Sequence, residues 1–123
     1  MIFVDANVIL RYMLNDNVLL SPRAKEIVDS NEIFVTTEVL AEVVYVLNGV
    51  YGAPRKDIQK SLYAFFNDTG CGLAKYDVIV KALEFFSGTR LDFIDCILAA
   101  YSAVENEQIA TFDNKLKAFI DRI

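Results

Sequence analysis

The sequence contains no histidine and no tryptophan, and only two cysteines, two prolines and five glycines in 123 residues. The missing histidine excludes the most. Without it there is no Ser-His-Asp or Cys-His nucleophile, no imidazole base and no His-ligated zinc. Cys71 and Cys96 are too few for a structural zinc site or a disulfide scaffold. They read as small buried hydrophobes of a reducing cytosol. The scarcity of glycine and proline excludes collagen-like and low-complexity segments. No apolar run reaches the ~20 residues of a membrane span. The start, Met1-Ile2-Phe3-Val4-Asp5, lacks the basic region of a signal peptide, and an Asp interrupts its apolar stretch. A cytoplasmic protein with no membrane association is therefore expected. The chemistry left available belongs to carboxylates, lysine or tyrosine.

What is present points to a folded domain. Hydrophobic residues make up 54% and charged residues 24%, a balance that excludes disorder. Residues 1–123 fit one domain, which would bury roughly two-thirds of its unfolded surface. The net charge of −5, taken alone, argues against a polyanionic partner.

Short apolar runs alternate with helical patterns. Ile2-Phe3-Val4 and Ile33-Phe34-Val35 read as buried strands, with Cys71 to Ala74 and Gln108 to Thr111 as two further short ones. Helices are expected from Val8 to Leu14, from a Ser21-Pro22 cap to Ser30, and from Thr36 or Thr37 to Asn48. Others should run from Pro54 to Asn67, Asp77 to Phe86, Asp92 to Val104, and onward from Asp113. No Asn-Gly-type hairpin signal joins two strands. The pattern is α/β, with a short-stranded, mostly parallel sheet flanked by helices.

In open parallel sheets, ligands bind beyond the carboxyl ends of the strands. Asp5 follows the first expected strand, Asp113 follows the last, and Asp92 and Asp95 open the helix before it. Asp5, Asp92 and Asp113 each have a plain alternative as helix N-caps. Asp95 is harder to explain that way, because Phe93 to Ala100 is otherwise apolar and such a helix is buried. A carboxylate there costs several kcal/mol unless a cation or strong donors compensate it. Glu42 borders the apolar arc set by Val39, Leu40, Val43 and Val46, whereas Glu38 points to solvent. Crowded carboxylates repel unless cations lie among them. Oxygen ligands without His or Cys suit Mg²⁺ or Mn²⁺, which complete their shells with water and phosphate. Setting these five acids aside leaves twelve of seventeen, equal to the twelve Lys and Arg. The acidic balance then says little against nucleic acid. Arg11, Arg90, Lys115 and Lys117 are candidate phosphate contacts, with solvated surface charge as the plain alternative.

Four segments then carry a resemblance. Val4-Asp5-Ala6-Asn7-Val8-Ile9-Leu10-Arg11-Tyr12, Val39 to Leu47 around Glu42, Asp92 to Ala100, and Ala110-Thr111-Phe112-Asp113-Asn114-Lys115-Leu116 resemble, in order and spacing, the motifs of PIN-domain nucleases. Within that family the chain is similar to VapC-type toxins of toxin–antitoxin pairs, over essentially its whole length. The resemblance implies a PIN-like three-layer fold and an Mg²⁺- or Mn²⁺-dependent endoribonuclease. Asp5, Glu42, Asp95 and Asp113 would be its catalytic, metal-binding acids, Asp92 an additional metal-binding acid acting through water, and Asn7 and Thr111 supporting residues. It further implies in-line hydrolysis leaving 5′-phosphate ends, a homodimer, and an antitoxin that blocks the site. Cys96 stands where Ala is usual. Two rivals remain. One is a non-catalytic interaction module using Tyr12, Met13, Leu14, Leu62, Tyr63, Phe65 and Phe66. The other is a haloacid-dehalogenase-type phosphatase, demoted because Asn7 stands where a second Asp is needed.

Overall fold

The computed structural model describes every residue from Met1 to Ile123. Its elements are β1 (Ile2–Phe3), α1 (Ala6–Leu14), α2 (Leu20–Ser30), β2 (Ile33–Val35), α3 (Thr37–Tyr45), a π-turn (Val46–Val50), α4 (Arg55–Thr69), β3 (Gly72–Leu73), α5 (Tyr76–Gly88), α6 (Phe93–Glu105) and α7 (Asn114–Arg122). The three strands form one parallel sheet in the order β1-β2-β3. Parallel neighbours need crossovers, which α1–α2 and α3–α4 supply. The α/β reading therefore holds, with helices flanking a small parallel sheet.

The central strand is the driest: Ile33 and Val35 are buried. The register sets Phe3 beside Phe34 and Phe34 beside Gly72. The two Phe rings stack at 4.8 Å. A Cβ on residue 72 would stand 2.7 Å from the Phe34 ring, so only glycine lets that ring lie across the sheet. Each helix buries one stripe. On the α3 segment these are Leu40, Val43, Val44 and Leu47, spaced i, i+3, i+4, i+7. On α6 they are Phe93, Cys96, Ile97, Ala99 and Ala100. Ala99 and Ala100 are fully buried, and α5 is the most extensive partner of α6. Cys96 is buried, and that burial pushes its thiol up to about 11, so it packs as an inert hydrophobe.

Three local expectations are corrected. The second helix starts at Leu20, not at a Ser21-Pro22 cap. Asn17 Oδ1 accepts the N–H groups of Leu19 and Leu20 at 3.0 and 2.8 Å, while the Ser21 hydroxyl is buried and accepts from Asn17 N–H. A short Asn side chain closing its own turn outcompetes the downstream Ser. The first helix begins at Ala6 because Asp5 caps it. The largest departure lies at Gln108 to Thr111, which forms no strand. Its side chains alternate between exposed and half-buried, the pattern of an extended chain. Yet only Ile109 and Thr111 gain cover, Phe112 stands wholly in solvent, and no ladder bond reaches β1. That burial is too slight to fix a register, and the outer edge of β1 stays open. No helix is long and apolar enough to cross a membrane.

Candidate active site

Asp5 leaves β1 and caps α1. Its backbone is extended and its Oδ1 accepts the Val8 N–H at 3.0 Å. Asp113 does the same for α7, where Oδ1 accepts from Lys115 N–H at 2.9 Å and Leu116 N–H at 3.0 Å. Its own N–H donates to Thr111 Oγ1 at 3.0 Å. Both acids therefore fill the capping role. In both, the capping bonds fall on Oδ1, and Oδ2 carries no protein hydrogen bond.

Asp92 occupies the N-cap position of α6 but makes no capping bond. Asp95 sits in the first turn of α6, half-buried, without a hydrogen-bond partner on its side chain. Its carboxyl is held above the ordinary aspartate range, first by burial, then by the charges of Asp113 and Asp92. The acids at the heads of α6 and α7 thus act on Asp95. Asp5 and Glu42 are not among the charges that act on Asp95. Glu42 is exposed on α3, and α3 packs against α6. None of the five acids is in an ion pair; the four pairs of the protein use Asp16, Asp29, Glu84 and Glu105.

The donor set fits a hard cation, because all five groups are carboxylates and all are free of internal cations. No three of them close to the spacing of a single ion's coordination shell. An ion there would be held by few protein oxygens and keep waters, as Mg²⁺ does.

The basic candidates fall into three situations. Arg11 is committed internally. Nη1 pairs with Asp16 at 2.7 Å, Nη2 donates to the Tyr51 hydroxyl at 3.0 Å, and only 15% of its side chain is exposed. The π-turn brings Tyr51 to that position. Arg90 and Lys115 are exposed and line one shallow cleft. Lys117 lines another, with Thr111 and Phe112. Asn7 is exposed near Arg11 and Arg23, beside a recess of about 150 Å³ between α1 and α2.

Sequence reasoning missed Arg55. Its Nη1 donates to the carbonyl oxygens of Leu91 at 2.6 Å and of Phe86 and Thr89 at 3.2 Å. Its guanidinium lies 4.0 Å over the Phe86 ring. This clamp fixes the loop that delivers Arg90 and Asp92. The sequence carried a signal: Arg55 is the first residue of α4, the end of a helix that disfavours cations.

The acids thus belong to a small parallel α/β domain, with unpaired aspartates after its first strand and around its last two helices. The PIN domain family model matches residues 2–120, and the chain belongs to that family. PIN domains are generally metal-dependent nucleases acting on nucleic acid, typically with Mg²⁺. Neither the curated proteins nor the solved structures gave a match.

Proposed function

We propose that this protein is an endoribonuclease of the VapC kind, the toxin of a toxin–antitoxin pair, with residues 1–123 as one PIN domain. The observation that carries this reading is the trio Asp92, Asp95 and Asp113. These acids lack internal cations, and burial and mutual charge hold the Asp95 carboxyl above its ordinary range. A divalent cation would relieve that repulsion, and carboxylate donors suit Mg²⁺ or Mn²⁺ over softer metals. Asp95 and Asp113 would hold it directly and Asp92 through water, with Asp5 and Glu42 completing the acidic set. Such an ion, when bound, supplies Lewis-acid activation of water and charge stabilisation at phosphorus.

The chain's own residues do the positioning. The two backbone N–H groups on Asp113 Oδ1 fix its carboxylate and leave Oδ2 without a protein hydrogen bond. Thr111 Oγ1 accepts the Asp113 N–H, and Asp5 Oδ1 accepts the Val8 N–H. Asn7, exposed on the first turn of α1, would support Asp5 from the same helix start. Arg90, Lys115 and Lys117 offer charge to phosphate oxygens, whereas Arg11 serves by tying the end of α1 to Asp16 and Tyr51. Attack in line with the leaving 3′ oxygen gives 5′-phosphate products. An antitoxin partner is supported by the apolar cleft of about 400 Å³ between α1 and α4, where Tyr12, Met13, Leu14 and Phe65 meet. Exposed Val18 and Leu19 support a homodimer. The free cysteines suit the cytoplasm.

The test has two arms. Induced alone in bacteria, the native chain should arrest growth and an equally expressed Asp5→Ala chain should not. Purified, it should cut RNA with Mg²⁺, leave 5′-phosphate ends, and stop in EDTA or as Asp95→Asn. Cleavage that persists in EDTA and yields 2′,3′-cyclic phosphate ends would refute the mechanism.

A further inference from the structure

A shallow cleft of about 270 Å³ opens between the loop after α5 and the side of α7. Arg90 forms one wall, and Lys115, Phe119 and Arg122 form the other. The last three stand at i, i+4 and i+7, one stripe along α7. No acidic residue lines the cleft, although the chain carries seventeen acids against twelve cations. None of the three cations is in an ion pair. Gathering like charges without a counter-charge is unfavourable in the free protein.

One of these cations also rests beside an aromatic ring. The Arg122 guanidinium lies 5.7 Å from the centre of the Phe119 ring. Phe85 in turn holds that ring edge-on, at 4.9 Å and 84°. A guanidinium fixed on an aromatic face loses less freedom when it meets an anion. Along the chain the cleft adjoins the acidic trio: Arg90 precedes Asp92 by two residues, and Lys115 follows Asp113 by two.

We infer that this cleft binds the phosphodiester backbone of the strand beside the bond to be cut, with Arg122 as an anchor. The inference rests on the nuclease reading and extends it to a defined subsite. From Lys115 to Arg122 the helix rises about 10 Å. The two cations of this stripe and Arg90 on the opposite wall offer three contacts to phosphate. The contacts go to phosphate, so this part of the site reads neither base nor sugar.

The test uses the Asp95→Asn chain in EDTA, so that binding is measured without cleavage. A labelled 12-nucleotide oligouridylate is titrated by fluorescence anisotropy between 50 and 200 mM NaCl. Three contacts predict a log–log slope near about −2, an affinity loss of about 16-fold over that range. Arg122→Ala and Arg90→Ala should each make the slope shallower by about 0.7. Lys60→Ala, which removes an exposed and unpaired cation on α4, should leave it unchanged. Equal effects of Arg122→Ala and Lys60→Ala would overturn the inference. So would a slope insensitive to Arg122→Ala, which would leave the cleft to an acidic protein segment. An Arg122→Ala loss seen with the oligouridylate and absent with the matching oligothymidylate would also overturn it. Native chain with Mg²⁺ is assayed for cleavage of the same oligomer. Cleavage by the native chain with cleft-insensitive binding sinks the subsite alone. Cleft-dependent binding with no cleavage of any RNA sinks the nuclease reading and leaves the subsite standing.

Discussion

Replacing Arg55 by methionine should cost about 3 kcal/mol and loosen the loop that carries Arg90 and Asp92. The magnitude follows from the contacts. One Nη1 group faces three carbonyls, at 2.6, 3.2 and 3.2 Å, and has two hydrogens to share among them. Charge-assisted bonds of this kind contribute about 1.5–3 kcal/mol each. The guanidinium over Phe86, at 4.0 Å, adds about 1 kcal/mol in a half-buried setting. Contacts sharing one group are not additive, and water reaches part of the loop once the arginine is gone, so the sum shrinks toward the lower bound. The unfavourable place of a cation at a helix N-terminus removes roughly 0.3–1 kcal/mol more. Methionine keeps apolar cover on Phe86, which isolates the polar part. With a urea m-value of about 1.5 kcal/mol/M, the unfolding midpoint should fall by about 2 M. Arg55→Lys should recover less than half, since an ammonium cannot reach the same carbonyls while stacking flat on the ring. A fall of under about 0.5 M for Arg55→Met, or full rescue by lysine, would refute the clamp.

Three further outcomes follow from the site. In EDTA at pH 7, Asp95→Asn should be more stable than the native chain. A carboxyl whose folded value is raised contributes stability that is full below its unfolded value and lost as pH rises through the folded one. The two proteins should converge below pH about 4, as paired urea titrations would reveal; a native chain more stable than the variant at pH 7 contradicts the sign. Asp113→Ala should lose about 1 kcal/mol through the α7 cap while Asp113→Asn does not, because asparagine caps as well as aspartate. Both should lose nuclease activity, so a stable, active Asn variant would remove Asp113 from the site. Mg²⁺ at ten times its dissociation constant should stabilise the chain by about 1.4 kcal/mol, roughly 5 °C in Tm, and Asp95→Asn should abolish the shift.

Much of this was legible from residue patterns. The helices announced themselves by apolar spacing, as in Leu40, Val43, Val44 and Leu47, because a stripe on one element is local information. The acids stood out for a related reason: Asp95 interrupts an apolar helix, although that helix buries one stripe, leaves Ile94 exposed and only half-buries the Asp95 carboxylate. What failed to show depends on pairing across the fold. The alternation in Gln108 to Thr111 is present in the burial of its side chains, but a strand also needs a partner ladder, which no alternation encodes. Arg11 looked like a free cation near the first motif. Its partner Tyr51 lies forty residues away, delivered by a π-turn that has no composition of its own. Arg55 announced itself only as a cation at a helix start, and its role stayed hidden because backbone carbonyls, its acceptors, leave no trace in the identity of Phe86, Thr89 or Leu91.

The open flank of β1 bears on how the molecule behaves in company. An unpaired row of backbone groups is a template on which a neighbour's chain can lay down a strand, and repeated addition leads to fibres. Sheets commonly guard such rows with lysine, proline or a covering loop, none of which stands in Ile2–Phe3. The guard here is brevity. Two residues offer a newcomer few rungs, against the five or six of an ordinary strand. Each residue it immobilises costs roughly 1–2 kcal/mol of backbone entropy. Growth from that edge stalls before it becomes self-sustaining, so an apolar strand can stand at the rim of the sheet without seeding polymerisation.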